Sequence, residues 1–464
     1  MIELPFYAGY TVAVFGLGKS GLAAARALTA SGAEVWAWDD NEDRRAEAAA
    51  KDVPLVDLYT CNWLEPVSLI LSPGIPHTHP EPHPVAALAR EQGIEIIGDI
   101  ELLGRAQPDA RYLGITGTNG KSTTTAIAAH VLELSGRRSE AGGNLGEPVM
   151  TFEPLGSEGI YVLELSSYQL ELTFSITFDV AVLLNISPDH LDRHGGMEGY
   201  VAAKRNIFRR QSEPRTAVVG IDDEISFGIF QELKAKGDQI VWPISAKTRA
   251  EGGVYVIEGV LFDDTEGQAV PALDLKDVEN LTGQHNWQNA AAAYAACKAA
   301  QVPPPVIAAC LRSFPGLAHR QERVGEIDGV LYVNDSKATN AEATARALAC
   351  HDSIYWIAGG RAKEGGLAGL EPYFPKIAKA FLIGEAEADF AAFLDGKLDY
   401  ERCGDLATAL AAASAEAHGR EGATVLLSPA CASFDQFPNF EARGDAFRSA
   451  VRALSGETAR EVLQ

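Results

Sequence analysis

Residues 114–125 read Gly-Ile-Thr-Gly-Thr-Asn-Gly-Lys-Ser-Thr-Thr-Thr, and no other stretch of the chain is better suited to chemistry. An apolar segment precedes it and an alanine-containing segment follows, so the spacing predicts a strand, a tight loop and a helix. Such a turn gathers backbone N–H groups in one concavity at the positive end of a helix dipole. A lysine in the place of Lys121 reaches terminal phosphates, and the Ser122 hydroxyl suits Mg²⁺. The pattern is a variant P-loop, because Ile115 stands where the first glycine is expected. Gly117, Thr118, Asn119, Gly120, Lys121, Ser122 and Thr123 are therefore expected to hold the phosphates of ATP or GTP.

Other residues have types and positions that fit the same chemistry. Glu164 ends the apolar run Tyr161-Val-Leu-Glu164, where a carboxylate can hold Mg²⁺ against phosphates. His190, in Ser187-Pro-Asp-His190, follows the next apolar run and reads as a ligand. Lys204 stands at helical steps of four from Tyr200 and Phe208. A lysine on such an apolar stripe is costly unless neutralised or paired, the alternative being a side chain that snorkels to water. Asn286 and Asn289 precede an alanine-rich helix and either cap it or bond a base. Arg320, Asp335, Lys337 and Lys363 stand beside polar turns of the last third, a grouping that suggests an anionic ligand.

Near the N-terminus, Gly16-Leu17-Gly18-Lys19-Ser-Gly21 forms Gly-x-Gly-x-x-Gly, with Asp39 about 20 residues on, as in dinucleotide-binding loops. UDP fits equally, since the loop would take a pyrophosphate and Asp39 a ribose hydroxyl. Taken alone, this loop permits a nicotinamide-dependent oxidoreductase. The P-loop taken alone permits a nucleotide-gated binding protein or switch.

The elements that must position these residues follow an α/β pattern with parallel sheets. Strands are predicted at residues 11–15, 34–38 and 69–71, then at 161–164 and 180–185. A hairpin is predicted at 254–257 and 260–262, and further strands at 330–333, 354–358, 380–383 and 425–427. Helices, many rich in alanine, separate the parallel strands. In open parallel sheets ligands bind beyond the carboxyl ends of the strands, which is where the candidate residues fall. Three domains are expected, with boundaries at residues 1–97, 98–316 and 317–464.

Composition narrows the partners. The 464 residues carry a formal net charge of −24, which argues against nucleic acid or an anionic membrane surface. Any phosphate site must then supply its own local cations and N–H groups. Six cysteines without Cys-x-x-Cys spacing read as small core residues of a reducing compartment. No leader peptide and no run of about 20 apolar residues is recognisable. The expectation is a cytoplasmic protein without membrane insertion.

The P-loop variant Gly117-Thr-Asn-Gly-Lys-Ser-Thr123 resembles that of the ATP-dependent amide ligases, a group that includes folylpolyglutamate synthetase. With Asn334-Asp-Ser-Lys-Ala-Thr-Asn340 and Ser428-Pro-Ala-Cys-Ala-Ser-Phe-Asp-Gln-Phe437, the chain resembles the Mur ligase family over essentially its whole length, and within it the D-glutamate-adding type. The resemblance implies a Rossmann-like UDP-binding first domain, a central P-loop ATPase-like domain and a Rossmann-like C-terminal domain for the incoming amino acid. It implies that Gly16, Leu17, Gly18, Lys19, Asp39, Ser72, Pro73, Gly74, Asn144 and His190 contact UDP-N-acetylmuramoyl-L-alanine. Asn286, Asn289, Arg320 and Asp335 would join the P-loop in contacting ATP. Lys337, Thr339, Lys363, Ser433 and Phe440 would surround D-glutamate. Two Mg²⁺ ions are implied, one on Ser122 and Glu164, the other on His190 and a carbamylated Lys204. Lys121, Glu164, His190 and Lys204 would be the catalytic set of a monomeric ligase.

Overall fold

The computed structural model describes residues 1–144, 146–363 and 365–454. They form two compact units, Met1–Phe314 and a second that begins at Pro315. The first unit holds two sheets and the second holds one.

The first sheet contains β1 (Thr11–Phe15), β2 (Glu34–Trp38), β3 (Ser68–Leu71) and β4 (Glu95–Ile97) in the order β2-β1-β3-β4, all parallel. Every residue of β1 and β3 is buried, as expected of strands covered on both faces by helices. The glycine loop after β1 runs into the helix Lys19–Ala30. Its close packing explains two glycines. A Cβ on Gly21 would lie 1.8 Å from the Gly16 carbonyl oxygen, and one on Gly16 (φ +89°) would lie 2.7 Å from the Ser72 Cβ.

The second sheet has nine strands. They are β5 (Arg111–Thr116), β6 (Ser139–Gly143), β7 (Ile160–Glu164), β8 (Val180–Leu183), β9 (Thr216–Gly220), β10 (Ile240–Ser245), β11 (Val254–Ile257), β12 (Val260–Asp263) and β13 (Val270–Asp274). Their order is β13-β12-β11-β10-β9-β8-β5-β7-β6. From β6 to β11 the sheet is parallel, and β11, β12 and β13 form an antiparallel extension that includes the expected hairpin. The P-loop strand β5 lies between β7 and β8, so the ends of all three strands face one ligand region.

The second unit contains β14 (Glu322–Ile327), β15 (Val330–Asn334), β16 (Ile354–Gly359), β17 (Ile377–Ile383), β18 (Tyr400–Gly404) and β19 (Thr424–Leu427). The order is β14-β15-β19-β16-β17-β18, with only β14 antiparallel to its neighbour. The adjacent strands β15, β19 and β16 release the turns that carry Lys337, Ser433 and Lys363. Among the described residues no helix is long and apolar enough to cross a membrane.

The two glycine contacts separate packing from ligand binding in the first loop. Gly21→Ala should destabilise the first unit by about 1–3 kcal/mol through overpacking. Gly18 has no heavy atom within 4 Å of its would-be Cβ, so Gly18→Ala should leave the thermal midpoint unchanged. A midpoint that falls equally in both variants would contradict this.

Candidate active site

The Gly117 carbonyl is the centre of the P-loop geometry. Lys121 Nζ donates to the carbonyls of Gly117 and Thr118, each at 3.0 Å. Lys204 Nζ donates to the same Gly117 oxygen at 2.8 Å and sits 4.7 Å from the centre of the Tyr200 ring. With 2% of its surface exposed, Lys204 does not snorkel. Burial, and then the charge of Lys121, hold its pKa down to about 6. The amine is therefore largely neutral at pH 7, which makes it a nucleophile.

Asn185, just beyond β8, fixes the shape of the loop. Its carbonyl accepts the Thr118 N–H and its Oδ1 accepts the Asn119 N–H, both at 2.9 Å. Its Nδ2 donates to the Asn119 carbonyl at 3.2 Å and to Gln288 at 3.0 Å. The Thr118 hydroxyl accepts the Ser187 N–H and bonds the Tyr200 hydroxyl, each at 3.0 Å. Neither Asn185 nor the Tyr200 hydroxyl was assigned a role from sequence. Asn185 was discoverable, because it ends a predicted parallel strand beside the P-loop strand.

Gly120 caps the helix Lys121–Leu134 at φ +87°, and a Cβ there would lie 2.1 Å from Asn289 Oδ1. Asn289 thus packs against the phosphate loop, and Thr124 donates to it at 3.4 Å. Asn286 donates to the Thr282 carbonyl and accepts from Asn289. Neither residue caps its helix, whose N-cap is Gly283.

Glu164 ends β7 with 2% of its surface exposed. Its Oε1 accepts Asn144 Nδ2 at 2.9 Å, while its buried Oε2 has no partner. An orphaned carboxylate oxygen at the end of β7 fits a hard cation, and the buried Ser122 lies in the first turn of the helix after the adjacent strand β5. Among the described residues no three His, Cys, Asp or Glu side chains cluster as a metal cage, so such a cation would draw other ligands from bound phosphate or water. His190 is half-exposed at φ +52°, 5.1 Å from the Tyr168 ring centre, and burial lowers its pKa. A neutral imidazole is the form that can ligate metal.

In the first sheet, Asp39 is buried and already engaged. It accepts the N–H groups of Leu17 at 2.6 Å and Asn41 at 2.8 Å. It thereby braces the glycine loop. Ser72 donates to the Gly16 carbonyl at 2.7 Å. Pro73 and Gly74 continue that turn, and the Gly74 carbonyl accepts Arg193 Nη1 at 2.8 Å, which links the turn to the short helix after His190. Lys19 is exposed at the start of its helix.

The second unit gathers the residues expected around the amino acid. Lys363 Nζ donates to Thr339 Oγ1 at 3.3 Å, and the Thr339 N–H donates to the Lys337 carbonyl. Lys337 Nζ lies 5.6 Å from the Phe440 ring centre. Ser433 Oγ is buried without a partner. Asp335 accepts Ser428 Oγ at 2.8 Å, and burial raises its pKa to about 7. Arg320 lies in the adjoining turn, its N–H bonded to the Leu317 carbonyl.

The chain is similar to known proteins along nearly its whole length. The Mur ligase MurD-like N-terminal domain matches residues 10–98, the Mur ligase middle domain 115–297 and the Mur ligase glutamate ligase domain 319–431. A protein of Rhodospirillum rubrum named UDP-N-acetylmuramoylalanine–D-glutamate ligase is 52% identical, with 98% of this chain and 97% of that one covered. Its namesake in Paramagnetospirillum magneticum is 53% identical, covering 98% and 99%. Among solved structures, the UDP-N-acetylmuramate-alanine ligase MurC of Thermotoga maritima has a TM-score of 0.59 at 17% identity, covering 96% of this chain and 99% of that one. That likeness shows a shared three-domain α/β fold.

Two substitutions test the loop. Lys121→Ala should leave the fold intact and cost about 10²–10³ in kcat, the usual effect of removing one preorganised electrostatic contact. Asn185→Ala removes two side-chain bonds to Asn119 and one to Gln288, and should raise the KM for ATP about tenfold. Steady-state kinetics on the folded variants would check both, and near-normal turnover by Lys121→Ala would remove the phosphate assignment.

Proposed function

The chain belongs to the Mur ligase family, and from that premise we propose that it joins D-glutamate to UDP-N-acetylmuramoyl-L-alanine with conversion of ATP to ADP and phosphate. Members of the family are ATP-dependent ligases that form amide bonds in peptidoglycan precursor synthesis. The observation that carries the finer reading is the grouping of Lys337, Thr339, Lys363 and Phe440 with the unpartnered hydroxyl of Ser433. Two ammonium groups and a buried donor suit an amino acid with two carboxylates.

Residues 1–97 serve UDP in this reading, residues 98–316 serve ATP and residues 317–464 serve the amino acid. A carboxylate is a poor electrophile, so it must first be activated. The alanyl carboxylate attacks the γ-phosphorus, ADP departs and an acyl phosphate remains. The amine of D-glutamate then attacks the carbonyl, phosphate leaves with the C–O electron pair, and the amine loses a proton. Lys121 and the first turn of its helix hold the transferring phosphoryl group, with their shape set by Asn185 and Tyr200. Asn144 orients Glu164. The glycine loop and Ser72 hold the UDP end, with Asp39 bracing the loop.

Ser122 and Glu164 would hold one Mg²⁺, and His190 with Lys204 a second. Bound Mg²⁺ offsets the charge that builds on the phosphoryl oxygens. For Lys204 this requires a change of sign. Its neutral amine adds CO₂, loses a proton and becomes a carbamate anion with two oxygen donors. The depressed pKa and the 2% exposure support this reading, because an ammonium would be unreactive toward CO₂ and repelled by the metals. The enzyme is taken to be cytoplasmic, where its nucleotide substrates are made. It is taken to be monomeric.

ADP release measured with UDP-N-acetylmuramoyl-L-alanine and a panel of amino acids tests the reaction. D-Glutamate should be used far better than D-alanine or a diamino acid, and Ser433→Ala should raise the KM for D-glutamate more than that for ATP. Equal use of these amino acids by the wild-type enzyme would contradict the pocket.

Lys204 has its own test. Lys204→Ala should lose nearly all activity and recover part of it when short-chain carboxylic acids are added. Wild-type turnover in Lys204→Ala would instead make Lys204 a packing residue.

A further inference from the structure

Arg443 is the largest buried cation that the reaction above leaves unused. It lies on the helix Phe440–Leu454 with 1% of its surface exposed. Its Nε donates to Ser336 Oγ at 2.9 Å. Its Nη2 donates to the carbonyls of Ser336 at 2.8 Å and Cys431 at 3.0 Å. Its Nη1 is buried and has no partner. No carboxylate among the described residues lies within ion-pair distance. Asp435 is close enough for its charge to be felt, but its Oδ2 accepts the Glu385 N–H. Burial holds the guanidinium pKa down to about 10, so it remains a cation at neutral pH.

The three bonded acceptors tie two turns together. Ser336 directly precedes Lys337, and Cys431 stands two residues before Ser433. These turns leave the adjacent strands β15 and β19, and both belong to the proposed amino-acid pocket. A third turn crowds the free nitrogen, because a Cβ on Gly360 would lie 3.1 Å from Nη1 and 2.4 Å from the Ala432 carbonyl oxygen. Gly360 follows β16 and stands three residues before Lys363. Arg443 therefore sits beneath the meeting point of the turns that carry Lys337, Ser433 and Lys363.

A buried guanidinium with neutral hydrogen-bond acceptors and no counter-ion is costly to keep. Its field is weakly screened, because little water or mobile salt reaches it. That field falls on the pocket above it, where Ser433 Oγ also lacks a partner.

We infer that Arg443 is a positioning and specificity residue that makes the incoming amino acid's second carboxylate a requirement. It holds the Ser336 and Cys431 turns in register, and its uncompensated charge is offset when a dicarboxylic amino acid binds. This deepens the D-glutamate reading and rests on it. A substrate with a neutral amide in place of that carboxylate would leave the charge unbalanced. Lysine could keep the charge but not bridge both turns, since its ammonium lacks the planar fork.

The test compares wild type, Arg443→Gln and Arg443→Lys in the ADP-release assay, with D-glutamate and D-glutamine as alternative substrates. Arg443→Gln should raise the KM for D-glutamate at least tenfold and shrink the preference for D-glutamate over D-glutamine by a similar factor. The KM values for ATP and the UDP substrate should stay within about twofold. Arg443→Lys should turn over more slowly yet keep most of the preference. An unchanged preference in folded Arg443→Gln would overturn the inference, as would loss of preference in Arg443→Lys if the glutamine variant fails to fold. Failure of the D-glutamate reading itself would look different, since wild type would then release no more ADP with D-glutamate than without it.

Discussion

Two lysine side chains converge on one backbone oxygen, the carbonyl of Gly117, and much of the first unit is arranged around that conflict. Like charges at hydrogen-bonding distance from a common acceptor repel, and one of the two is almost wholly buried. Loss of the proton from Lys204 relieves the repulsion at once, and an arriving anion relieves it further. The surrounding residues keep the pair together. The Tyr200 ring covers Lys204 and its hydroxyl bonds Thr118, while Asn185 takes two N–H groups of the loop. The loop is thus held in shape by neutral partners, and Lys121 carries its positive charge.

A chain with a net charge of −24 must concentrate positive charge where anions are to bind. It does so by placement rather than by number. Lys121 provides the charge in the first unit, and buried Arg443 with Lys337 and Lys363 provides it in the second. The opposite arrangement occurs at Glu164, whose buried oxygen lacks a partner and suits a cation. Both kinds of imbalance cost stability in the free protein. Both make the empty site less stable relative to the filled one, which favours ligand binding.

Much of the fold was legible because buried parallel strands have a strong apolar signal. β1, β2, β8, β11 and β12 lie within about a residue or two of where periodicity puts them. Three of the strands missed have physical reasons to be quiet. β6 reads Ser-Glu-Ala-Gly-Gly, β14 Glu-Arg-Val-Gly-Glu-Ile and β18 Tyr-Glu-Arg-Cys-Gly, and all three are sheet edges. Edges need only one paired side and tolerate charge and glycine, so their sequences resemble loops. β9, Thr-Ala-Val-Val-Gly, is buried throughout and does carry the apolar signal, over only five residues.

The candidate site was legible to the extent that its chemistry lies at strand ends. Lys121 could be picked out by its glycine loop, Glu164 by its strand end, Asn289 by its place before an alanine-rich helix, and Lys204 because it stands on an apolar stripe. The supporting residues escaped because their role depends on tertiary contacts. Asp39 illustrates the limit: its place after β2 suggests a ribose contact, and sequence does not show that its carboxylate also accepts the Leu17 and Asn41 N–H groups. Arg443 is the stronger case. On sequence it is one arginine in an amphipathic helix, the usual place for a solvated charge. Only the packing of three turns over that helix buries it, removes its counter-ion and directs its field toward the pocket. A local pattern can reveal which residues carry charge, but the cost of that charge depends on what surrounds it.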